Sequence, residues 1–244
     1  MRGICKFRSG ILAIGAAVVV GNWTLPVKAC DLALAFAVDV SGSIDQKDFR
    51  IQMQGLADGL RDGVVSEALV KSNARVMLVQ WTGSTRQVVN IPWVQITSFS
   101  DVEILARRIE NTERSWRNYS TAIGEALAFV AKRFDQVPGC KRNVVDMSGD
   151  GVSNEGIEPV EAKPELHART ITVNALVIEE SDPGLTAYFW ENVISGDGAF
   201  VVTANGFEDY PAKMRQKLLR EISKQIAWIE PKSFWGIKAK INHQ

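Results

Sequence analysis

Two periods of apolar residues alternate along the chain. Residues 32–38 (LALAFAV) form a continuous apolar run, the pattern of a strand buried on both faces. Phe49, Met53, Leu56, Leu60 and Val64 then recur at spacings of three and four, which predicts an amphipathic helix. Residues 76–81 predict a second strand, and Gly83-Ser84 ahead of 86–96 predicts an antiparallel hairpin. Helices are expected over 100–114, with Val102, Leu105, Ala106 and Ile109 on one face, and over 121–136, with Ile123, Leu127, Val130 and Phe134 inward. Strands are expected at 143–147 and 170–178, separated by a weak helix at 157–168 that Pro159 and Pro164 interrupt. A short helix around 185–194, a strand at 199–203 and a helix from Asp209 to about Trp228 complete the pattern. Trp190 and Trp228 stand at helical spacing from other apolar residues and are expected in the core, while residues 229–244 have no assignable pattern.

Strands alternating with helices imply an α/β domain, doubly wound, with a mostly parallel sheet covered by helices on both faces. Neither an internal repeat nor a linker divides it. Ligands of such sheets bind beyond the carboxyl ends of the strands, where the strand order reverses. The informative residues should therefore follow the first and fourth strands.

Composition supports one globular domain: 244 residues, 46% apolar, with 28 basic and 28 acidic groups and three cysteines. Disordered, collagen-like and disulfide-dense classes are excluded, and the charge balance argues against a nucleic-acid footprint. The balance is uneven along the chain. Arg2, Lys6, Arg8 and Lys28 fall in the first 29 residues without one acid, leaving 24 basic against 28 acidic groups, a charge of −4, in the remainder. Three of those cations precede an apolar stretch of 12 residues at 10–21, and Val27-Lys28-Ala29 fits a cleavage site before Cys30. Residues 1–29 read as a secretory signal peptide, residues 30–228 as the domain. An uncleaved anchor and a lipid-modified Cys30 are the alternatives. The stretch is shorter than the ~20 residues of a spanning helix.

Directly after the first strand comes Asp39-Val40-Ser41-Gly42-Ser43. A carboxylate and two hydroxyls at i, i+2 and i+4 can converge where a strand turns into a helix, and all are hard oxygen donors suited to Mg²⁺ or Mn²⁺. Ser43 with Gln46 reads equally as a capping box. Thr121 puts another hydroxyl at a helix start, or is simply its cap. Ser148-Gly149-Asp150-Gly151 places a second carboxylate at a strand end, or in an ordinary turn.

Taken together, these segments resemble the von Willebrand factor type A (VWA) family over roughly residues 31–227. With Cys30 just before the first strand and Ser148-Gly149-Asp150-Gly151 after the fourth, they look like a bacterial secreted branch of it. The family's metal-ion-dependent adhesion site is an Asp-x-Ser-x-Ser run, a Thr before a helix and an Asp ahead of Gly. Asp39, Ser41, Ser43, Thr121 and Asp150 match it in type and order. The resemblance implies a six-stranded sheet ordered 3-2-1-4-5-6 with strand 3 antiparallel. It also implies that Ser41, Ser43 and Thr121 bind the ion directly or through water, and that Asp39 and Asp150 act largely through water. A protein partner's Asp or Glu would complete the shell. That is a binding mechanism without nucleophile or general base. With strands one and four as parallel neighbours, Cys30 and Cys140 fall near the sheet edge opposite the metal, so a disulfide between them is expected, with two unpaired buried thiols as the alternative.

The remaining candidates are weaker. Trp116, Arg117 and Tyr119 precede Thr121 and suit a partner-binding rim, with Trp116 packing beneath the loop as the alternative. Asn118-Tyr119-Ser120 fits a glycosylation sequon. His167 and His243 lack neighbours that would suggest a hydrolase or zinc site. The expected function is an extracytoplasmic adhesion-type module that captures an acidic side chain through Mg²⁺ or Mn²⁺. A metal-assisted hydrolase and a metal-free structural domain are the competing readings.

Overall fold

The computed structural model describes residues 30–180 and 182–229, with side chains described to residue 222. Six strands form one sheet: β1 (Leu32–Asp39), β2 (Arg75–Trp81), β3 (Gln87–Gln95), β4 (Arg142–Gly149), β5 (Ile171–Ile178) and β6 (Val201–Ala204). Their order is β3-β2-β1-β4-β5-β6, every pairing parallel except β2 with β3. This is the expected fold class and topology. Helices α1 (Gln46–Arg61), α2 (Gly63–Lys71), α3 (Phe99–Glu110) and α7 (Tyr210–Ile229) cover one face, and α4 (Ile123–Ala131), α5 (Lys163–Ala168) and α6 (Leu185–Tyr188) the other.

The apolar run of β1 conceals an alternation that positions these layers. Leu34, Phe36 and Val38 pack toward α1, α3 and α7, whereas Ala33, Ala35 and Ala37 face α4. Period-2 geometry sends successive side chains to opposite faces, so small residues on one side let α4 lie close to the sheet. β1 pairs with β4 from Leu32↔Arg142 to Val38↔Ser148. Cys30 and Cys140 are joined by a disulfide just ahead of the two strands, with Cα atoms 4.5 Å apart.

Two packing expectations fail. The helix carrying Phe49 to Leu60 stops before Val64, because Asp62 leaves the helical conformation and its carboxylate accepts from the backbone N–H groups of Val64 and Val65. That cap starts α2 on a new axis, and Val64 turns outward, 54% exposed. Trp190 is likewise at the surface, 60% exposed. It lies in a π-helical turn over Phe189–Val193, whose wider winding directs Phe189 and Val193 inward instead. The helix expected over 121–136 is α4 followed by a 3-10 turn at Lys132–Gln136. The signal-peptide reading, residues 230–244, His243 and the Trp228 side chain lie outside the described residues. Among the described residues, no helix is long and apolar enough to cross a membrane.

Candidate metal centre

β1 and β4 are central neighbours whose chains leave toward opposite faces, so their carboxyl ends form the switch point of the sheet. Asp39 ends β1, and Asp150 immediately follows β4. The Ser41 backbone N–H donates to Asp39 Oδ1 at 2.7 Å, which folds the loop back over the strand end. Ser43 Oγ donates to Asp150 Oδ1 at 2.8 Å and lies 3.4 Å from Ser41 Oγ. Ser43 is free to do so because it does not cap α1. Asp45 is the cap, accepting from the Lys47 and Asp48 N–H groups while the Asp48 carboxylate accepts from the Asp45 N–H.

Thr121 reaches the same corner from a third segment. Its backbone is fixed by Asn154, whose Oδ1 accepts from the Thr121 N–H at 2.9 Å and whose N–H donates to the Thr121 carbonyl at 2.8 Å. Ala122 occupies the cap position of α4 without a side-chain cap, so the Thr121 hydroxyl is not spent on the helix. That hydroxyl lies 3.8 Å from where a side chain at Gly151 would begin. Two close approaches hold the segments together. The Gly42 N–H donates to the Tyr119 carbonyl at 2.8 Å, and a Cβ on Gly42 would meet that oxygen at 3.3 Å. A Cβ on Gly149 would stand 3.1 Å from Asp39 Oδ2, so the strand end passes tightly beside the carboxylate. Sequence reading missed Arg114, whose Nη2 donates to the Val40 and Ser41 carbonyls at 3.0 and 2.8 Å and braces the loop. Nothing in the local sequence identifies a residue acting across more than 70 positions.

The electrostatics are those of two crowded carboxylates. Asp39 is completely buried, and its Oδ2 has no hydrogen-bond partner. Burial and the nearby Asp150 push its pKa up to about 8, against the Ser41 hydrogen bonds and Arg114. Burial also raises Asp150, opposed by the Ser43 hydroxyl and reinforced by Asp48 and Glu180. An unpartnered, buried carboxylate oxygen beside a second carboxylate is unfavourable unless a cation or a proton is supplied. Among the described residues, no three His, Cys, Asp or Glu side chains are placed to hold a metal ion by themselves. The donor set is therefore hydroxyl-rich and wholly oxygen, which fits a hard divalent cation and suits a thiolate- or imidazole-seeking one poorly.

The rim divides into buried and exposed parts. Trp116 is partly buried and packs against the core cluster on the α1 side of the sheet. Tyr119 is 41% exposed, with the Arg86 guanidinium 3.8 Å above its ring. Arg117 is exposed and donates to Gln46 Oε1 at 3.3 Å. His167 lies at the other edge of the sheet, ahead of β5, with Nε2 2.9 Å from Ser195 Oγ.

The topology and the three segments meeting at its strand ends define the class, a von Willebrand factor type A fold. Among solved structures, proximal thread matrix protein 1 (PTMP1) from the mussel byssus matches at 18% identity and TM-score 0.62, over 78% of this chain and 47% of that one. A von Willebrand factor type A structure from Catenulispora acidiphila matches at 14% identity and TM-score 0.55, over 79% and 43%. The pilus adhesin SpaC from Lactobacillus rhamnosus GG matches at 12% and 0.57, over 84% and 32%. At these identities the likeness is one of fold, and this chain spans at most about half the length of each. No curated protein matches it. Residues 29–226 match the family described as "Protein of unknown function (DUF1194)", and the chain belongs to that family.

Proposed function

We propose that this protein is an extracytoplasmic, adhesion-type binding module in which Asp39, Ser41, Ser43, Thr121 and Asp150 hold Mg²⁺ or Mn²⁺. When bound, the ion supplies a Lewis-acidic position that accepts an Asp or Glu carboxylate from a protein partner. The observation that carries this reading is the buried, unpartnered Asp39 Oδ2 beside Asp150, at a corner that also receives the hydroxyls of Ser41, Ser43 and Thr121. Hydroxyls neutralise a dication less than carboxylates do, so the bound ion would keep attraction for an incoming anion. Arg114 and the Asp45 cap hold the loop in shape before any ligand arrives, which limits the ordering cost of binding. A related arrangement of fold and metal exists in PTMP1, for which a structure is described with a zinc-occupied MIDAS motif, at 20% identity. The likeness to an adhesin and a byssus matrix protein supports a protein partner. The secretory reading of residues 1–29 and the disulfide both support an oxidising, extracytoplasmic setting.

The test is metal-dependent stabilisation. Mn²⁺ or Mg²⁺ at about 100 times its dissociation constant should stabilise the fold by about 2.7 kcal/mol, a rise in Tm of roughly 5–10 °C. Asp39→Ala and Ser41→Ala should abolish most of that rise. An equal rise in both variants would exclude this corner as the metal site.

A further inference from the structure

Beside the metal corner, a cavity of about 290 Å³ opens between the start of α1 and the segment leading to Tyr119, lined by Gln46, Arg50, Thr112, Glu113, Arg114 and Arg117. Three arginines thus share the lining with one glutamate, over Phe49. Among the described residues, none of the three arginines belongs to an ion pair, whereas Arg61 is matched to Glu103 and Glu110, and Arg169 to Asp135. Arg117 reaches only the neutral Gln46 amide. Arg114 spends Nη2 on two loop carbonyls and keeps its buried Nε without a partner. Burial and then Arg117 lower the pKa of Arg114, opposed by the pull of Asp39, Asp45 and Asp150.

The acidic neighbours of Asp150 are not among the residues lining this cavity. Asp48 and Glu180 act on Asp150, and Lys47 is already taken by Glu208 at 2.6 Å. A dication balanced by Asp39 and Asp150 would leave the arginine cavity positive and the surroundings of Asp48 negative. Resting on the metal reading above, we propose that the arginine cavity is a second anionic subsite, which takes the side chain of an Asp or Glu flanking the metal-bound acid in a partner's acidic segment. These charges also fix direction: flanking acids are drawn to Arg50 and Arg117 and repelled by Asp48 and Glu180. Guanidinium groups suit this role because they present planar forks of donors that grip carboxylates through charge-assisted hydrogen bonds.

The experiment uses the Mn²⁺-loaded protein and fluorescent heptapeptides of glycine containing one glutamate, or two glutamates separated by one or two residues. The second glutamate should tighten binding about tenfold in the better spacing. In Arg50→Glu that gain should fall below about twofold. In Arg107→Gln, which removes a positive charge on α3, it should persist. A gain that survives Arg50→Glu, or one lost equally in Arg107→Gln, overturns the subsite, as does failure of the two-acid peptides to bind at millimolar concentration. If chelation leaves binding of all the peptides unchanged while the gain still depends on Arg50, the metal reading falls and the arginine subsite stands.

Discussion

Asp39 carries a conflict that a single residue can report. Its carboxylate is buried, one oxygen is tied to the Ser41 N–H, and the other has no partner. In the metal-free protein its pKa near 8 lies above the ordinary value of 3.8, so between those pH values the folded state holds a proton that the unfolded state has lost. Stability contributed by this residue is therefore greatest below about pH 4 and falls as pH rises toward 8, by about 2–5 kcal/mol. With chelator present, the urea midpoint should drop between pH 5 and pH 8.5, and Asp39→Asn should drop distinctly less. An identical drop in both proteins would place the pH dependence elsewhere. Gly149→Ala tests the same carboxylate from its neighbour: a Cβ at 3.1 Å must shift Asp39 Oδ2, and Mn²⁺ affinity should fall about tenfold by calorimetry. That Asp39, Ser41, Ser43, Thr121 and Asp150 belong together was legible only through the family resemblance, because each segment alone reads equally as a helix cap or a turn. Which side chain capped the helix was not legible, since Ser43 and Asp45 both stand within reach of its first turn and only their conformations separate them.

Within the elements, α7 is tied to the sheet by charges that no periodicity indicates. Lys217 is fully buried, with Nζ 2.6 Å from Asp146 Oδ2 of β4 and 3.2 Å from Glu221 Oε1 one turn along the helix. Glu221 also accepts from Asn174 Nδ2 of β5 at 2.6 Å. Burial and Glu221 raise the Asp146 pKa to about 6 against the pull of Lys217. Removing the one cation leaves two buried carboxylates, so Lys217→Met should cost about 3–5 kcal/mol in urea unfolding. Replacing Asp146 and Glu221 by leucine as well should recover most of that loss, because the triple variant removes all three of these buried charges. The pattern along the chain located α7 and β4 but gave Asp146 no role, blind to a partner 71 positions away. The same blindness explains Val64 and Trp190. A cap at Asp62 and one turn of altered winding each rotate the residues beyond them, and spacing alone assumes that the winding is constant.

Across the whole molecule, the disulfide and the proposed metal corner occupy opposite ends of the same two strands. Cys30 and Cys140 bridge just ahead of β1 and β4, while Asp39 and Asp150 stand at or just past their carboxyl ends. Eight residues of strand separate the two, roughly 25 Å at the usual rise. The pairing of cysteines was legible only through the family resemblance, because adjacency of the first and fourth strands is a property of topology that neither cysteine's surroundings declare. Its expected consequences are separable. Closing a loop of 110 residues restricts the unfolded chain, worth about 4–5 kcal/mol if chain entropy dominates. Cys30→Ser with Cys140→Ser should therefore lower the urea midpoint substantially. The corner, braced by Arg114, Asn154 and the Asp45 cap, makes no use of that end of the sheet. Mn²⁺ affinity measured well below the melting transition should accordingly stay within about twofold of the parent, since sites this far apart without shared partners act nearly independently. A large loss of affinity in the folded double variant would mean that β1 and β4 shift as rigid rods when the bridge is cut. The metal corner would then depend on the register of the whole sheet, not on its own loops.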